Sequence, residues 1–332
     1  MKPSLAPSAS HAYLPAQILG GASPEFKQFF NKSSFQFSHQ LATHPLFELD
    51  RLVELADFLI SKGVQPGVNA NTASVGSSWS GFSPKSISTV LDSIKSVDQS
   101  GSWVLLYSVQ NDPEYADLLQ HIISELEEVV DQPLHRQTTW LDAYIFIASP
   151  HSITSYHIDY ETTFLFQIQG VRQVNIFNGF EPFILTDEKI EKYYIGYMES
   201  AEHSGEKQNQ ATVYDLTRGT GVHHPPHAPH WHQNGDEYSI ALGVHFCSKE
   251  FDQQAEIYQV NHYLREFNLK PNSPGESAWR DRLKIGLIDL LAERHPPSKY
   301  PLLRSCVHKL DKIMLLVRPR KFLKCIQKNS KG

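Results

Sequence analysis

Short apolar segments separated by polar turns fill the middle of the chain. The segments have four to ten residues, and Gly, Pro, Asn, Asp or Ser commonly stands between them. Their composition and length predict strands over residues 103–109, 141–148, 154–159, 163–169, 171–177, 211–216, 222–225 and 237–246. Gly170 stands between two of these segments and predicts a tight hairpin. Several short strands over about 100 residues favour a β-sandwich or a β-barrel.

Segments with helical spacing of apolar residues lie on both sides of these strands. One covers residues 46–60 and ends near Gly63, and a second begins at Pro113, where proline fits the first turn of a helix. Further helices are predicted over residues 86–97, 251–267, 278–291 and 300–316, and a short one within a polar insertion at 187–210. Residues 63–82 are rich in Gly, Asn and Ser and predict a loop.

These elements divide the chain into three parts. Residues 1–25 are rich in Pro, Ser and Ala and predict a flexible arm, residues 26–250 form the main domain with its strand core at 102–247, and residues 251–332 are helical. The last 15 residues hold six basic residues and no acidic one. This basic tail is either a solvated surface or a contact for an acidic partner or an anionic membrane.

Composition narrows the class of protein. The 332 residues carry a net charge of −6, with no strongly basic balance to mark nucleic-acid binding as the main task. The three cysteines are far apart and offer neither a disulfide framework nor a thiolate zinc site. No apolar run is long enough for a transmembrane helix, and the first residues lack the apolar stretch of a secretory signal. We therefore expect a cytoplasmic enzyme or regulator.

The candidate chemistry centres on Tyr156-His157-Ile158-Asp159. On a strand, His157 and Asp159 would point to the same face, because side chains alternate between faces. Two histidines and one carboxylate on one side of an ion, with open positions remaining, form the usual site of non-haem Fe(II) oxygenases. The segment 222–232 offers five histidines for the missing ligand.

Two stretches carry a resemblance to a known family. Residues 149–177, with the H-x-D motif and Gly170-Val171-Arg172, and residues 225–240, with Pro225-Pro226-His227-Ala228-Pro229-His230, resemble JmjC and cupin-like 2-oxoglutarate oxygenases. Within this superfamily the chain resembles bacterial cupin-like proteins and the asparaginyl hydroxylase of hypoxia-inducible factor. The resemblance implies a double-stranded β-helix, or jelly roll, which agrees with the predicted strands. The helical spacing after residue 250 adds a helical C-terminal appendage to this fold.

The resemblance also implies a set of site residues. Fe(II) would be held by His157, Asp159 and His230, with His232 as the alternative third ligand, and His223, His224 and His227 would have rim or packing roles. The co-substrate 2-oxoglutarate would be bound by Arg172, Thr154 and Tyr107. Arg172 stands where lysine is usual, and a guanidinium can hold a carboxylate through two parallel hydrogen bonds. His245 and Thr163 are further candidates near the iron. They would either contact the metal ligands without binding the ion or contact the substrate.

The activity that follows from the resemblance is hydroxylation of a C–H bond with O2 and 2-oxoglutarate, giving succinate and CO2. The substrate would be a protein side chain or a small molecule, and the C-terminal helices would pair two subunits. Two alternatives stay open, namely a non-catalytic metal-binding cupin regulator and a metal-dependent cupin enzyme that does not use 2-oxoglutarate. Zinc is the main competing metal, since it also accepts histidine and carboxylate ligands.

Overall fold

The computed structural model describes residues 14–21, 23–70, 73–77, 87–197, 200–291 and 307–313. Within these ranges the strands are β1 (Phe35–Ser38), β2 (Gly67–Ala70), β3 (Ser102–Leu106), β4 (Thr138–Ala148), β5 (Ile153–His157), β6 (Thr162–Gln169), β7 (Arg172–Ile176), β8 (Thr212–Leu216), β9 (Thr220–His224), β10 (His230–Asn234) and β11 (Ser239–Ser248). The α-helices are α1 (Pro24–Phe29), α2 (Leu49–Ser61), α3 (Ile87–Lys95), α4 (Pro113–Val130), α5 (Leu134–Gln137), α6 (Asp187–Tyr194), α7 (Gly205–Gln208), α8 (Lys249–Glu266) and α9 (Ala278–Leu291). Residues 307–313 are also helical.

The strands form two antiparallel sheets that face each other. The larger has the order β1-β9-β6-β11-β4-β3-β2, and the smaller has the order β5-β10-β7-β8. The eight strands from β4 to β11 are thus shared between the two sheets, four in each, with β4, β6, β9 and β11 in the larger one. This is the strand order of a double-stranded β-helix, so the predicted jelly-roll fold with flanking helices is confirmed.

The two faces of the larger sheet have different environments. Its outer face buries Phe164, Phe166 and Phe246 in the large apolar cluster that also holds the buried side chains of α2 and α4. Because side chains alternate along a strand, the residues between these, such as Leu165, face the smaller sheet. The inner apolar cluster is small and is made of Leu165, Val174, Ile176, Leu216, Val222, Ala228 and Ala241. The barrel interior therefore also holds polar side chains, which form the site described below.

Three features differ from the sequence prediction. The predicted loop 63–82 contains β2, which pairs antiparallel with β3, so the loop prediction was wrong at residues 67–70. The turn at Gly170 is present, with φ of 75°, but it joins β6 in one sheet to β7 in the other, so it is not a hairpin. The hydrophobic pattern of the sequence predicts no strand at β10, because its residues HWHQN show no alternation of apolar and polar side chains.

The chain ends are described in part. Within the predicted arm, Ile18 and Leu19 are buried and the Gly20 amide donates to the Ser38 carbonyl, so packing begins inside residues 1–25. At the other end α8 follows β11 directly, and its Arg265 pairs with the buried Glu191 of α6. Of the helix predicted at 300–316, residues 307–313 are described, and the basic tail lies outside the described residues. In the described part of the chain, no helix has the length and apolar character needed to cross a membrane.

Candidate metal centre

Strands β5 and β10 bring the three predicted ligands together. His157 is the last residue of β5 and His230 is the first of β10, and these two residues are paired across the antiparallel ladder. Asp159 lies two residues beyond β5, so it does not share a strand face with His157 as the sequence argument assumed. A hydrogen bond from the His227 amide to the Asp159 carbonyl joins this segment to the one that leads into β10.

The ligand atoms of the three residues converge. Asp159 Oδ2 lies 3.5 Å from His157 Nε2 and 3.5 Å from His230 Nε2. All three candidate ligand atoms lie within 4.8 Å of one another. Nitrogen and oxygen ligands about 2.1 Å from one ion, at right angles to each other, are about 3 Å apart. The three residues therefore fit a divalent cation bound by two imidazoles and one carboxylate.

Hydrogen bonds to the backbone orient both imidazoles. His157 Nδ1 lies 2.7 Å from the Ser155 carbonyl oxygen, and His230 Nδ1 lies 2.9 Å from the Ala228 carbonyl oxygen. A carbonyl oxygen only accepts, so each Nδ1 carries the proton and donates it. The Nε2 lone pairs then point toward Asp159, which is the arrangement usual for metal-binding histidines.

Burial and the attraction between neighbouring charges have opposite effects on the pKa values at this centre. Burial disfavours the charged forms of His157 and Asp159, but their mutual attraction outweighs burial, so the pKa of His157 is raised and that of Asp159 is lowered. Burial and the neighbouring His157 lower the pKa of His230 to about 4. Asp159 is therefore ionised and His230 is neutral near pH 7, which are the forms that bind metal.

Arg172 lies in the same sheet as His157 and His230, and it is paired with Asn234, four residues beyond His230 on β10. It is the first residue of β7, is 3% exposed, and donates from Nε to Asn234 Oδ1 and from Nη2 to Ser239 Oγ, each at 3.1 Å. Among the described residues no carboxylate lies within 4 Å of its guanidinium. Burial lowers the pKa of Arg172 to about 10, so the group remains cationic at neutral pH. An uncompensated buried cation is costly and marks a place for an anionic ligand.

The other two predicted co-substrate residues lie on different sheets. Thr154 is half-buried on β5 and is paired with His232 of β10, in the smaller sheet with Arg172. Tyr107 follows β3, which lies between β4 and the edge strand β2 of the larger sheet, and its ring is edge-on to that of Tyr144, with centroids 5.3 Å apart. Burial raises the pKa of Tyr107, so its phenol stays protonated.

His245 and Thr163 form a contact on the larger sheet. His245 Nδ1 lies 3.1 Å from Thr163 Oγ1, and the His245 ring lies 4.5 Å from that of Tyr144. Glu161, which the sequence analysis did not single out, lies 3.7 Å from His245 through Oε1. Burial and the charge of Asp159 raise the pKa of Glu161, so this carboxyl holds its proton. Its position two residues after Asp159 repeats the spacing of the H-x-D motif and was a usable signal.

The remaining histidines divide between the two faces of β9 and β10. His223 lies on the outer face and packs on Phe164, with ring centroids 4.6 Å apart, as a packing residue does. His224 faces the barrel interior, with its ring 4.5 Å from that of the candidate ligand His230. His232 also faces inward, 5.2 Å from His230. Burial lowers the pKa of both inward residues, so both imidazoles are neutral.

Comparison with known proteins adds three similar structures. No protein-family model and no curated protein matches the sequence. The structure of YcfD, a ribosomal oxygenase from Escherichia coli in complex with cobalt and 2-oxoglutarate, is similar over 93% of this chain and 70% of that chain, at 15% identity and a TM-score of 0.49. The structure of YcfD in complex with cobalt and succinic acid is similar over 86% of this chain and 69% of that chain, at 14% identity and a TM-score of 0.46.

The third structure is more distant. An RmlC-like cupin from Shewanella frigidimarina is similar over 34% of this chain and 70% of that chain, at 13% identity and a TM-score of 0.22. The strand order of this chain is, on its own, that of a double-stranded β-helix. His157, Asp159 and His230 form a group in it that could hold a metal ion.

Proposed function

We propose that the protein is an Fe(II)- and 2-oxoglutarate-dependent oxygenase that hydroxylates a C–H bond and releases succinate and CO2. One observation carries the proposal, namely that a two-histidine, one-carboxylate group and an uncompensated arginine share one barrel interior. The first binds Fe(II) and leaves positions open, and the second binds the carboxylate of a keto acid. Bound iron supplies the reaction of O2 with the keto acid and the substrate.

The protein's own residues bind and orient the keto acid. Asn234 and Ser239 hold the guanidinium of Arg172 in place by accepting hydrogen bonds from it. The orientation of its remaining N–H groups is therefore fixed before the acid binds. Such preorganisation lowers the cost of ordering on binding. We assign Thr154 and Tyr107 as additional hydroxyl donors to the same acid.

The substrate approaches from the side of Asp159. The side chains of His157 and Asp159 are 14% and 28% exposed, whereas His230 is 3% exposed, so the centre opens on that side. Tyr160 directly follows Asp159 in the chain, and its half-buried ring lies 6.2 Å from the half-buried ring of Trp140, centroid to centroid. We propose a protein side chain or a small molecule as the substrate, with the aromatic rings as its contact surface.

Turnover of the keto acid tests this function without knowledge of the substrate. Purified protein with Fe(II), ascorbate and 2-oxoglutarate is expected to form succinate slowly, and His151→Ala, a change at an exposed histidine, should leave the rate unchanged. A protein that binds metal but neither binds nor consumes 2-oxoglutarate would instead be a regulatory cupin or a cupin enzyme with other chemistry. Succinate formation is measured by chromatography or nuclear magnetic resonance.

The proposed homodimer has a candidate surface on α9. Trp279, Leu283, Leu287 and Leu290 follow helical spacing along one side of the helix, and all four are exposed, Leu290 by 84%. Exposed apolar stripes of this kind are typical of subunit contacts. We expect a dimeric mass by light scattering at micromolar concentration, and Leu283→Glu should shift it to the monomer. A monomeric mass for the unchanged protein would contradict the pairing.

A further inference from the structure

Two buried histidines, His224 and His232, flank His230 inside the barrel, and neither is needed to complete the two-histidine, one-carboxylate group. In the described residues, the Nε2 atom of each is buried and has no hydrogen-bond partner. A buried polar atom without a partner costs about 1–3 kcal/mol, so such atoms in a folded protein call for an explanation. A ligand that lies along β10 would provide the missing partner of His232.

The positions of the two histidines along the strands separate their roles. His230, His232 and Asn234 are alternate residues of β10 and face the interior together, and Asn234 accepts the hydrogen bond from Arg172 Nε. His232 thus lies between the metal ligand and the arginine. His224 belongs to β9 in the opposite sheet, where it is paired with Thr163, and its ring lies 6.0 Å from that of His232.

The spacing along β10 matches the length of a five-carbon acid. His232 is two residues from His230, a distance of about 7 Å along an antiparallel strand. Four carbon–carbon bonds of about 1.5 Å span about 5 Å between the terminal carbons of such an acid. A keto acid held at the His230 end therefore brings its far carboxylate to the level of His232, one inward position before Asn234, which is paired with Arg172.

We propose that His232 binds the far carboxylate of the keto acid together with Arg172, with its Nε2–H as a further donor. The inference rests on the proposed function and extends it, because it assigns a role to a residue of this chain beyond the metal ligands and the single basic residue. The carboxylate then receives a neutral N–H from His232 and a charged N–H from Arg172, and the buried Nε2 gains its partner. His224 has no part in this contact.

Binding of 2-oxoglutarate to four proteins tests the assignment. Calorimetry without O2 is carried out on the Fe(II)-loaded unchanged protein and on His232→Leu, His232→Gln and His224→Leu, and the Fe(II) affinity and thermal unfolding of each are measured alongside. His232→Leu keeps the side chain's bulk and removes the donor, so its 2-oxoglutarate affinity should fall about 10- to 100-fold. His232→Gln keeps an N–H donor and should lose less than about fivefold. His224→Leu should stay within about threefold of the unchanged protein.

The outcomes separate this inference from the proposed function. Failure of the unchanged protein to bind 2-oxoglutarate would contradict the proposed function itself. If the unchanged protein binds 2-oxoglutarate and His232→Leu binds it with an affinity within threefold of that value, the proposed role of His232 is overturned. Equal losses in His232→Leu and His224→Leu, or loss of Fe(II) from His232→Leu, would also overturn it, because the effect would then come from packing or from the metal. If His232→Leu does not fold, His232→Phe carries the same expectation.

Discussion

Replacement of His230 by alanine is expected to lower the affinity for Fe(II) by more than about 100-fold. Loss of a residue that only hydrogen-bonds to a metal ligand already lowers metal affinity by about 10- to 100-fold, and His230 is assigned as a ligand itself. The change removes one of two imidazole nitrogens that lie 3.5 Å from Asp159 Oδ2. The remaining His157 and Asp159 would hold the ion from one side with too few ligands. Succinate formation should fall to the level of the buffer, because no step can proceed without the ion.

His224→Ala is the matched control for this change. It removes another buried imidazole whose ring is 4.5 Å from that of His230, so it reproduces the loss of packing without the loss of a ligand. Titration with Fe(II) under anaerobic conditions, followed by calorimetry, measures both proteins. Unchanged Fe(II) affinity in His230→Ala, or equal losses in the two variants, would show that His230 is not a ligand.

Replacement of Arg172 by methionine is expected to have opposite effects on binding and on stability. The affinity for 2-oxoglutarate should fall by about 100-fold or more, because the variant lacks the charged donor for the far carboxylate. The free energy of unfolding of the ligand-free protein should stay the same or rise by up to about 3 kcal/mol, since a buried cation without a carboxylate partner is removed. The Asn234 and Ser239 oxygens that lose their donor offset part of this gain.

Thermal unfolding with and without 2-oxoglutarate measures both effects in one experiment. A ligand that binds only the folded state raises the midpoint, so the Fe(II)-loaded unchanged protein should be stabilised by 2-oxoglutarate and Arg172→Met should not be. Arg172→Lys keeps the charge and should retain most of the stabilisation, because lysine also binds carboxylates. A large loss of stability in ligand-free Arg172→Met would show instead that the arginine is needed for the fold.

Much of the fold follows from patterns in the sequence. The apolar run of β6 and the helical spacing of α4 predict those elements closely, because burial on one face fixes the periodicity of each. Pro113 and Asp112 mark the start of α4, and the Asp112 carboxylate accepts a hydrogen bond from the Glu114 amide there. Local rules suffice for such elements, since their own side chains determine them.

Other parts depend on contacts that are distant in sequence. β10 has few apolar residues, and it is a strand because β5 and β7 pair with it on either side. β2 is short and lies in a polar segment, and its pairing with β3 defines it. The approach of Asp159 to the two histidines comes from the segment after β5, whereas the expected shared strand face is absent.

The same limit applies to the second layer of the site. Asn234 and Ser239 lie 62 and 67 residues from Arg172, and only the folded barrel brings them to its guanidinium. His224 gives no signal beyond alternation with Val222 on β9, which predicts a shared face but not which neighbours it meets there. Motif and spacing therefore indicate the ligand triad and the arginine, while the fold determines what surrounds them.

Direct binding of 2-oxoglutarate to the Fe(II)-loaded protein tests the central claim. Calorimetry in the absence of O2 should show one 2-oxoglutarate per chain in the unchanged protein, weakened by Arg172→Met and abolished by Asp159→Ala, which removes the metal. The opposite result would be a protein that holds Fe(II) tightly while 2-oxoglutarate gives no heat of binding and displaces no bound ligand. That result would contradict the assignment of the barrel as an oxygenase site.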